Sequence, residues 1–330
     1  MRLLVAALFL GISLGIAACG ERVNEQGNEN PEVEVNVEAG EMQGPYLLVL
    51  GVAQDAGYPQ AGCAKSCCAP AWSDHSKRRS QTCLALVDPD SKAHWLFEAT
   101  PSLPQQISDL NHHTGSALNQ QPKGVFLTHA HIGHYTGLMH FGREVQGASE
   151  IPVHAMPRMS DFLRNNAPWS QLVSLNNISL QALQADSTIS LTPTLSVTPL
   201  LVPHRDEFSE TVGFRIASRD RKALFIPDIN KWQVWDRDLA TELQQVDLAF
   251  LDATFFKAGE LPGRNMAEIP HPFVQETMEL LRDLPASEKQ KVKFIHFNHT
   301  NPILWDPAAA QEVRAAGFDI SEEGETYSLN

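Results

Sequence analysis

The segment Leu127-Thr128-His129-Ala130-His131-Ile132-Gly133-His134-Tyr135-Thr136-Gly137 carries three histidines within six residues. The apolar run Val125 to Thr128 predicts a strand and Ile132 to Phe141 a helix, so the histidines lie at a strand-to-helix turn. His129 and His131, two residues apart, leave the strand on one side of the backbone, and His134 enters one helical turn later. A lone histidine on an apolar strand is usually a satisfied core residue. Three imidazoles at such a turn can instead converge on a cation.

Outward from this segment, further strands are expected at Tyr46 to Val52, Thr82 to Val87, His94 to Phe97, Leu195 to Val202, Val212 to Ala217, Ala223 to Ile226, Val246 to Leu251 and Val292 to Phe297. Helical spacing fits Met159 to Asn165, Pro272 to Arg282 and Pro307 to Ala315. Strands come first in a group, strand and helix then alternate, and the same order recurs in the second half. That pattern predicts an α/β domain of two sheets packed face to face with helices outside.

With its near-match to His-x-His-x-Asp-His, the chain resembles the metallo-β-lactamase superfamily, which implies an αββα fold of two packed mixed β-sheets. The resemblance implies further metal ligands at His204, Asp228 and His296, with Asp228 bridging two cations. Each follows an apolar strand, which puts all of them at one edge of the sheets. Imidazole and carboxylate suit zinc, and a shared carboxylate offsets the repulsion between two cations. Leu50-Gly51 with Gly57-Tyr58-Pro59-Gln60, Ser209-Glu210-Thr211-Val212-Gly213-Phe214, Leu251-Asp252-Ala253-Thr254-Phe255 and Asn298-His299-Thr300-Asn301-Pro302 are similar to the pyrroloquinoline quinone biosynthesis protein B branch. Its neighbours include phosphodiesterase-like members such as tRNase Z. The resemblance runs from about Tyr46 to beyond Pro302.

The chain departs from the motif at one position. Gly133 stands where the superfamily has its aspartate, and glycine ligates nothing. Either a single-metal centre results, or a carboxylate from elsewhere fills the gap. The candidate is Asp55 in the loop after the first strand; the alternative is that Asp55 caps the Gln54-Asp55-Ala56-Gly57 turn. His271, between prolines at a helix entry, corresponds to a histidine that assists phosphodiester cleavage in tRNase-Z-like members, which implies a proton donor. His299 is a candidate donor to a substrate oxygen or an extra ligand, and Arg205 a candidate anion contact. Cys63, Cys67 and Cys68, with Cys83 further on, admit a structural metal, as the branch has nearby, or a disulfide. The spacing Cys-x-x-x-Cys-Cys differs from that of the branch.

At the other end, an apolar run from Leu3 to Ala18 precedes Cys19 in Ile16-Ala17-Ala18-Cys19, which reads as a lipoprotein signal peptide over residues 1–18 with lipidation at Cys19. Residues 19–45 are acidic: Gly20 to Gly44 holds seven glutamates, one arginine and no aromatic residue, a flexible tether composition. The folded domain is expected over 46–330, held at the periplasmic side of a bacterial envelope by lipid alone, with Gly20 after the cysteine favouring the outer membrane. A net charge of −14 speaks against an extended nucleic-acid partner and leaves a small-molecule substrate; the oligomeric state is not legible.

The expectation is therefore a metal-dependent hydrolase of the metallo-β-lactamase superfamily with one or two zinc ions, iron or manganese being alternatives. Phosphodiesters are slightly preferred to esters or lactones. The competing expectations are an iron-dependent oxygenase similar to the quinone-biosynthesis branch and a non-catalytic binding lipoprotein. The metal ligands are His129, His131, His134, His204, Asp228 and His296, with Asp55 a possible addition; His271, Asp228 and His299 are the catalytic candidates.

Overall fold

Apolar alternation shapes the first strand of the computed structural model, which describes residues 42–115 and 121–330. In Tyr46–Gly51, Leu47 and Val49 join one core while Leu48 and Leu50 join another. A strand buried on both faces must lie between two layers. The signal peptide, Cys19 and the tether up to residue 41 lie outside the described residues.

Among the described residues, two sheets of seven strands result. One runs in the order Thr326–Ser328, Tyr46–Gly51, Cys83–Asp88, Ala93–Phe97, Gly124–Phe126, Ile151–Ala155, Ile178–Ala182. The other runs Asp319–Ile320, Val292–Ile295, Leu248–Asp252, Lys222–Ile226, Val212–Ala217, Ser196–Leu201, Ile189–Ser190. Their facing sides share one core, in which Phe97 stacks on Phe126 at 5.1 Å and both meet Phe214 of the other sheet edge-on. The opposite side of the first sheet packs its second core under helices Leu103–His113 and Pro157–Asn165. This is the αββα arrangement.

Strand direction decides where the functional side chains emerge. Ala93–Phe97, Gly124–Phe126 and Ile151–Ala155 are mutually parallel, and two successive antiparallel pairings give Tyr46–Gly51 the same direction. In the second sheet Lys222–Ile226, Leu248–Asp252 and Val292–Ile295 are parallel, and two antiparallel steps align Ser196–Leu201 with them. The loops carrying Asp55, Glu98, His129, His204, Asp228 and His296 therefore all leave carboxyl-terminal strand ends.

The expected helix from Ile132 to Phe141 is shorter: an α-turn, Ile132–Tyr135, passes into a 3₁₀ segment, Thr136–Phe141. Gly137 packs so tightly there that an added Cβ would come within 2.0 Å of the Thr100 carbonyl oxygen.

Candidate metal centre

Beyond strand Gly124–Phe126 the chain leaves regular structure, bends at Ala130 and His131 and then turns, the His134 amide donating to the His131 carbonyl at 3.0 Å. This brings the ring of His129 within 4.3 Å of both His131 and His134, centroid to centroid. His129 Nε2 lies 2.7 Å from His131 Nδ1, and His204 Nε2 lies 3.3 Å from the same atom. Asp228 Oδ2 faces His204 Nε2 at 3.2 Å and His129 Nε2 at 3.3 Å. The second group is Asp55, His134 and His296, with His134 Nε2 3.0 Å from Asp55 Oδ1. Asp228 Oδ2 stands 3.9 Å from His134 Nε2, between the two groups. Within each group the donor atoms lie within 4.8 Å of one another.

The rings are held by their far nitrogens. Thr128 Oγ1 meets His129 Nδ1 at 2.9 Å, Asn230 Oδ1 meets His204 Nδ1 at 3.3 Å, and Thr254 Oγ1 meets His296 Nδ1 at 2.9 Å. Glu98 Oε1 accepts from Thr128 Oγ1 at 2.5 Å and stands 3.1 Å from His134 Nδ1. Such contacts turn each Nε2 inward. His131 is reversed, with Nδ1 inward and Nε2 3.8 Å from the exposed Glu207. A carboxylate, a threonine and an imidazole thus recur in each half: Glu98, Thr128 and His129, then Asp252, Thr254 and His296.

Glu98 and His296 both take positive φ, 89° and 71°, a strained conformation for residues other than glycine and common at functional sites. Glu98, Asp252, Thr128, Thr254 and Asn230 were missing from the sequence-derived set. The one available signal was position, a charged or hydroxyl residue directly after or ending an apolar strand.

Electrostatics argue that the centre fits cations. Burial holds His129 well below the ordinary histidine range and takes His296 down to about 4, so both are neutral donors at pH 7. Burial also opposes charge on His134, but the flanking Glu98 and Asp55 outweigh it and raise its pKa well above the usual value. Asp228 is held well below the carboxylate range because His204 and His271 overcome its burial. Among the described residues the charged partners of Asp55, Glu98, Asp228 and Asp252 are all imidazoles. Asp55 Oδ1, Asp228 Oδ1, His134 Nε2 and His296 Nε2 are buried without any hydrogen bond. Unpartnered buried donors around an excess of carboxylate are what divalent cations satisfy.

His271 borders this centre. Its Nδ1 donates to Asp252 Oδ2 at 3.0 Å and lies 3.1 Å from Asp228 Oδ1. Burial opposes its charge, yet the two carboxylates raise its pKa to about 10. Arg205 is exposed.

His299 is not in the histidine centre, which corrects its expected role beside a substrate oxygen. The turn closed by Asn301 N to Asn298 O sends it toward the cysteines: its Nδ1 is 3.2 Å from Cys68 Sγ and 3.8 Å from Cys67 Sγ. Cys63, Cys67, Cys68 and His299 form a separate buried group. Cys83 is elsewhere, buried in strand Cys83–Asp88 with Sγ near the Leu84 and Glu98 carbonyls, so a bridge to it is ruled out; all four thiols are free. Trp232 and Trp235 pack inside, donating to Thr277 Oγ1 and the Leu201 carbonyl.

The Beta-lactamase superfamily domain matches residues 94–297, and the chain belongs to that superfamily. It is 27% identical over 308 residues to coenzyme PQQ synthesis protein B of Methylobacterium sp. (strain 4-46), covering 86% of this chain and 99% of the relative. The corresponding protein of Xanthomonas axonopodis pv. citri (strain 306) is 29% identical over 311 residues, covering 86% and 99%. Zn(2+)-bound PqqB from Methylobacterium extorquens shares the fold with a TM-score of 0.70 at 23% identity, covering 86% of this chain and all of that one. A diphosphatase from the PhnP family gives a TM-score of 0.59 at 19% identity, covering 86% and 96%.

Proposed function

We propose that this protein is a metal-dependent enzyme of the PqqB kind, acting on a small organic molecule at the periplasmic side of a bacterial envelope and anchored through lipid on Cys19. The observation that carries the reading is the convergence of seven donor side chains on a buried region where, among the described residues, the charged partners of the carboxylates are all imidazoles. His129, His131, His204 and Asp228 would hold one cation, His134 and His296 a second, with Asp228 shared. Bound cations supply Lewis acidity and lower the pKa of water toward neutrality. The protein's own groups orient the rings through Thr128, Glu98, Asn230 and Thr254, and His271 handles a proton while anchored on Asp252. The net charge of −14 argues against an extended nucleic-acid substrate.

Similarity to the PQQ synthesis proteins over most of the chain supports an oxygenase reading, since imidazole and carboxylate donors hold iron as well as zinc. Hydrolysis is the second reading, phosphodiesters ahead of esters and lactones. His271 favours it, because an imidazole donating through Nδ1 keeps its other nitrogen available to a leaving group. We assign Cys63, Cys67, Cys68 and His299 a separate structural zinc, a donor set that closes a tetrahedron.

Metal analysis of protein purified without added metal, followed by turnover of phosphodiester, ester and lactone probes and by oxygen uptake, under air and under nitrogen, separates the readings. Iron with oxygen-dependent turnover supports the first, and zinc with turnover under nitrogen the second. A histidine centre that takes up no cation sinks both.

A further inference from the structure

We infer that Asp55 is the carboxylate ligand of the second cation position, relocated from position 133, and that Gly133 is glycine because Asp55 occupies the space its side chain would need. The inference deepens the metal-enzyme reading above and rests on it.

A Cβ built on Gly133 would stand 2.4 Å from Asp55 Cα, 2.4 Å from its Oδ1 and 2.9 Å from its Cβ. Contact with a backbone atom at that distance cannot be relieved by turning a side chain, so any side chain at 133 excludes the course that the Asp55 backbone takes. Gly133 lies in the α-turn Ile132–Tyr135 and is absent from the positive-φ glycines. Space, not backbone torsion, is therefore what demands glycine here.

The carboxylate is aimed as a ligand. Asp55 Oδ1 and His134 Nε2 are buried and 3.0 Å apart, an ion-pair contact without hydrogen-bond geometry, and neither has another partner. His296 Nε2, the remaining unpartnered nitrogen, completes the group. Gln54 Nε2 donates to the other oxygen, Oδ2, at 3.1 Å, and the Gln54 amide donates to the Phe297 carbonyl at 2.8 Å. The turn bearing Asp55 is thus tied directly to the segment bearing His296. A residue that merely capped its own turn would spend Oδ1 on a nearby amide.

The test is cation stoichiometry and affinity, read by equilibrium dialysis of zinc against the chelator-stripped full chain, with thermal unfolding as the folding control. Asp55→Asn, nearly isosteric, and Asp55→Ala are each expected to weaken the second cation of the histidine centre by about 100-fold or more, leaving the first and the cysteine-bound ion in place. Gly133→Asp alone is expected to lower the unfolding temperature or displace the Asp55 turn. Unchanged stoichiometry and affinity in both single Asp55 variants overturn the assignment. If the wild-type histidine centre takes up no zinc, the underlying metal-enzyme reading fails instead.

Discussion

The histidine centre and the cysteine cluster hold similar donors by opposite means. The first draws its donors from strand ends in both sheets, which are held together by a large apolar core. The second draws three of four donors from residues 63–68, in a segment whose regular structure is one short helix, Ala69–Ser73, and a 3₁₀ turn, His75–Lys77, over a small apolar patch. A cation in the first would be held by the fold, whereas a cation in the second would hold the fold. Charge differs as well. Burial pushes Cys68 up to about 12 and raises Cys67, so those two thiols keep their protons until a cation displaces them, whereas hydrogen bonds overcome burial to lower Cys63, and in the histidine centre Asp228 is already ionised.

The largest expected effect is at the atom the two halves of the histidine centre share. Asp228→Ala should weaken both cations and reduce turnover by about 1000-fold, with little change in unfolding temperature for the cation-free protein. Loss of folding instead of binding would erase the contrast. On the other side, Cys68→Ser should remove one cation and lower the unfolding temperature by roughly 6 °C, with turnover at 20 °C unchanged within about threefold. Differential scanning calorimetry with and without chelator reads this; an unshifted transition would strip the cluster of its structural role.

A smaller effect sharpens how the first centre is built. Glu98→Gln, which keeps the size but not the charge beside His134, should weaken cation binding there by about 10- to 100-fold while the cysteine-bound ion stays. Chelator competition reads the two ions separately, and equal binding in variant and wild type would show that Glu98 does not orient the ring.

The smallest effect lies near the cysteine segment. Glu323 accepts from the Ser80 amide, and burial raises its pKa from the ordinary 4.5 to about 7. A raised carboxyl pKa means the folded state binds the proton more tightly, so its stabilising contribution is full below about 4.5 and is lost as pH rises through 7. Glu323→Gln should therefore gain stability relative to wild type between pH 5 and 8, by about 1 kcal/mol after allowance for partial exposure. Urea unfolding at both pH values checks the sign; a pH-independent difference would contradict it.

Long apolar runs announced most of the strands, and the three close histidines announced the centre. The strands Ile151–Ala155 and Ile178–Ala182 stayed hidden because Pro152 and His154 interrupt one and polar residues fill the other. Helix Leu103–His113 was missed because its apolar residues are sparse and its buried face includes Gln106, which donates to the Leu50 and Gln81 carbonyls. His299 misled by proximity: three residues from His296, it is directed by a tight turn into different company.

Residue types and local periodicity were enough to state that imidazoles and carboxylates follow apolar strands and that position 133 lacks its acid, because both are properties of short segments. Which carboxylate stands in the gap, which histidine joins the cysteines, and which glutamate steadies His134 depended on strand direction and sheet packing. Those bring together positions such as 55 and 133 that are remote along the chain, and no local pattern encodes the distance between them.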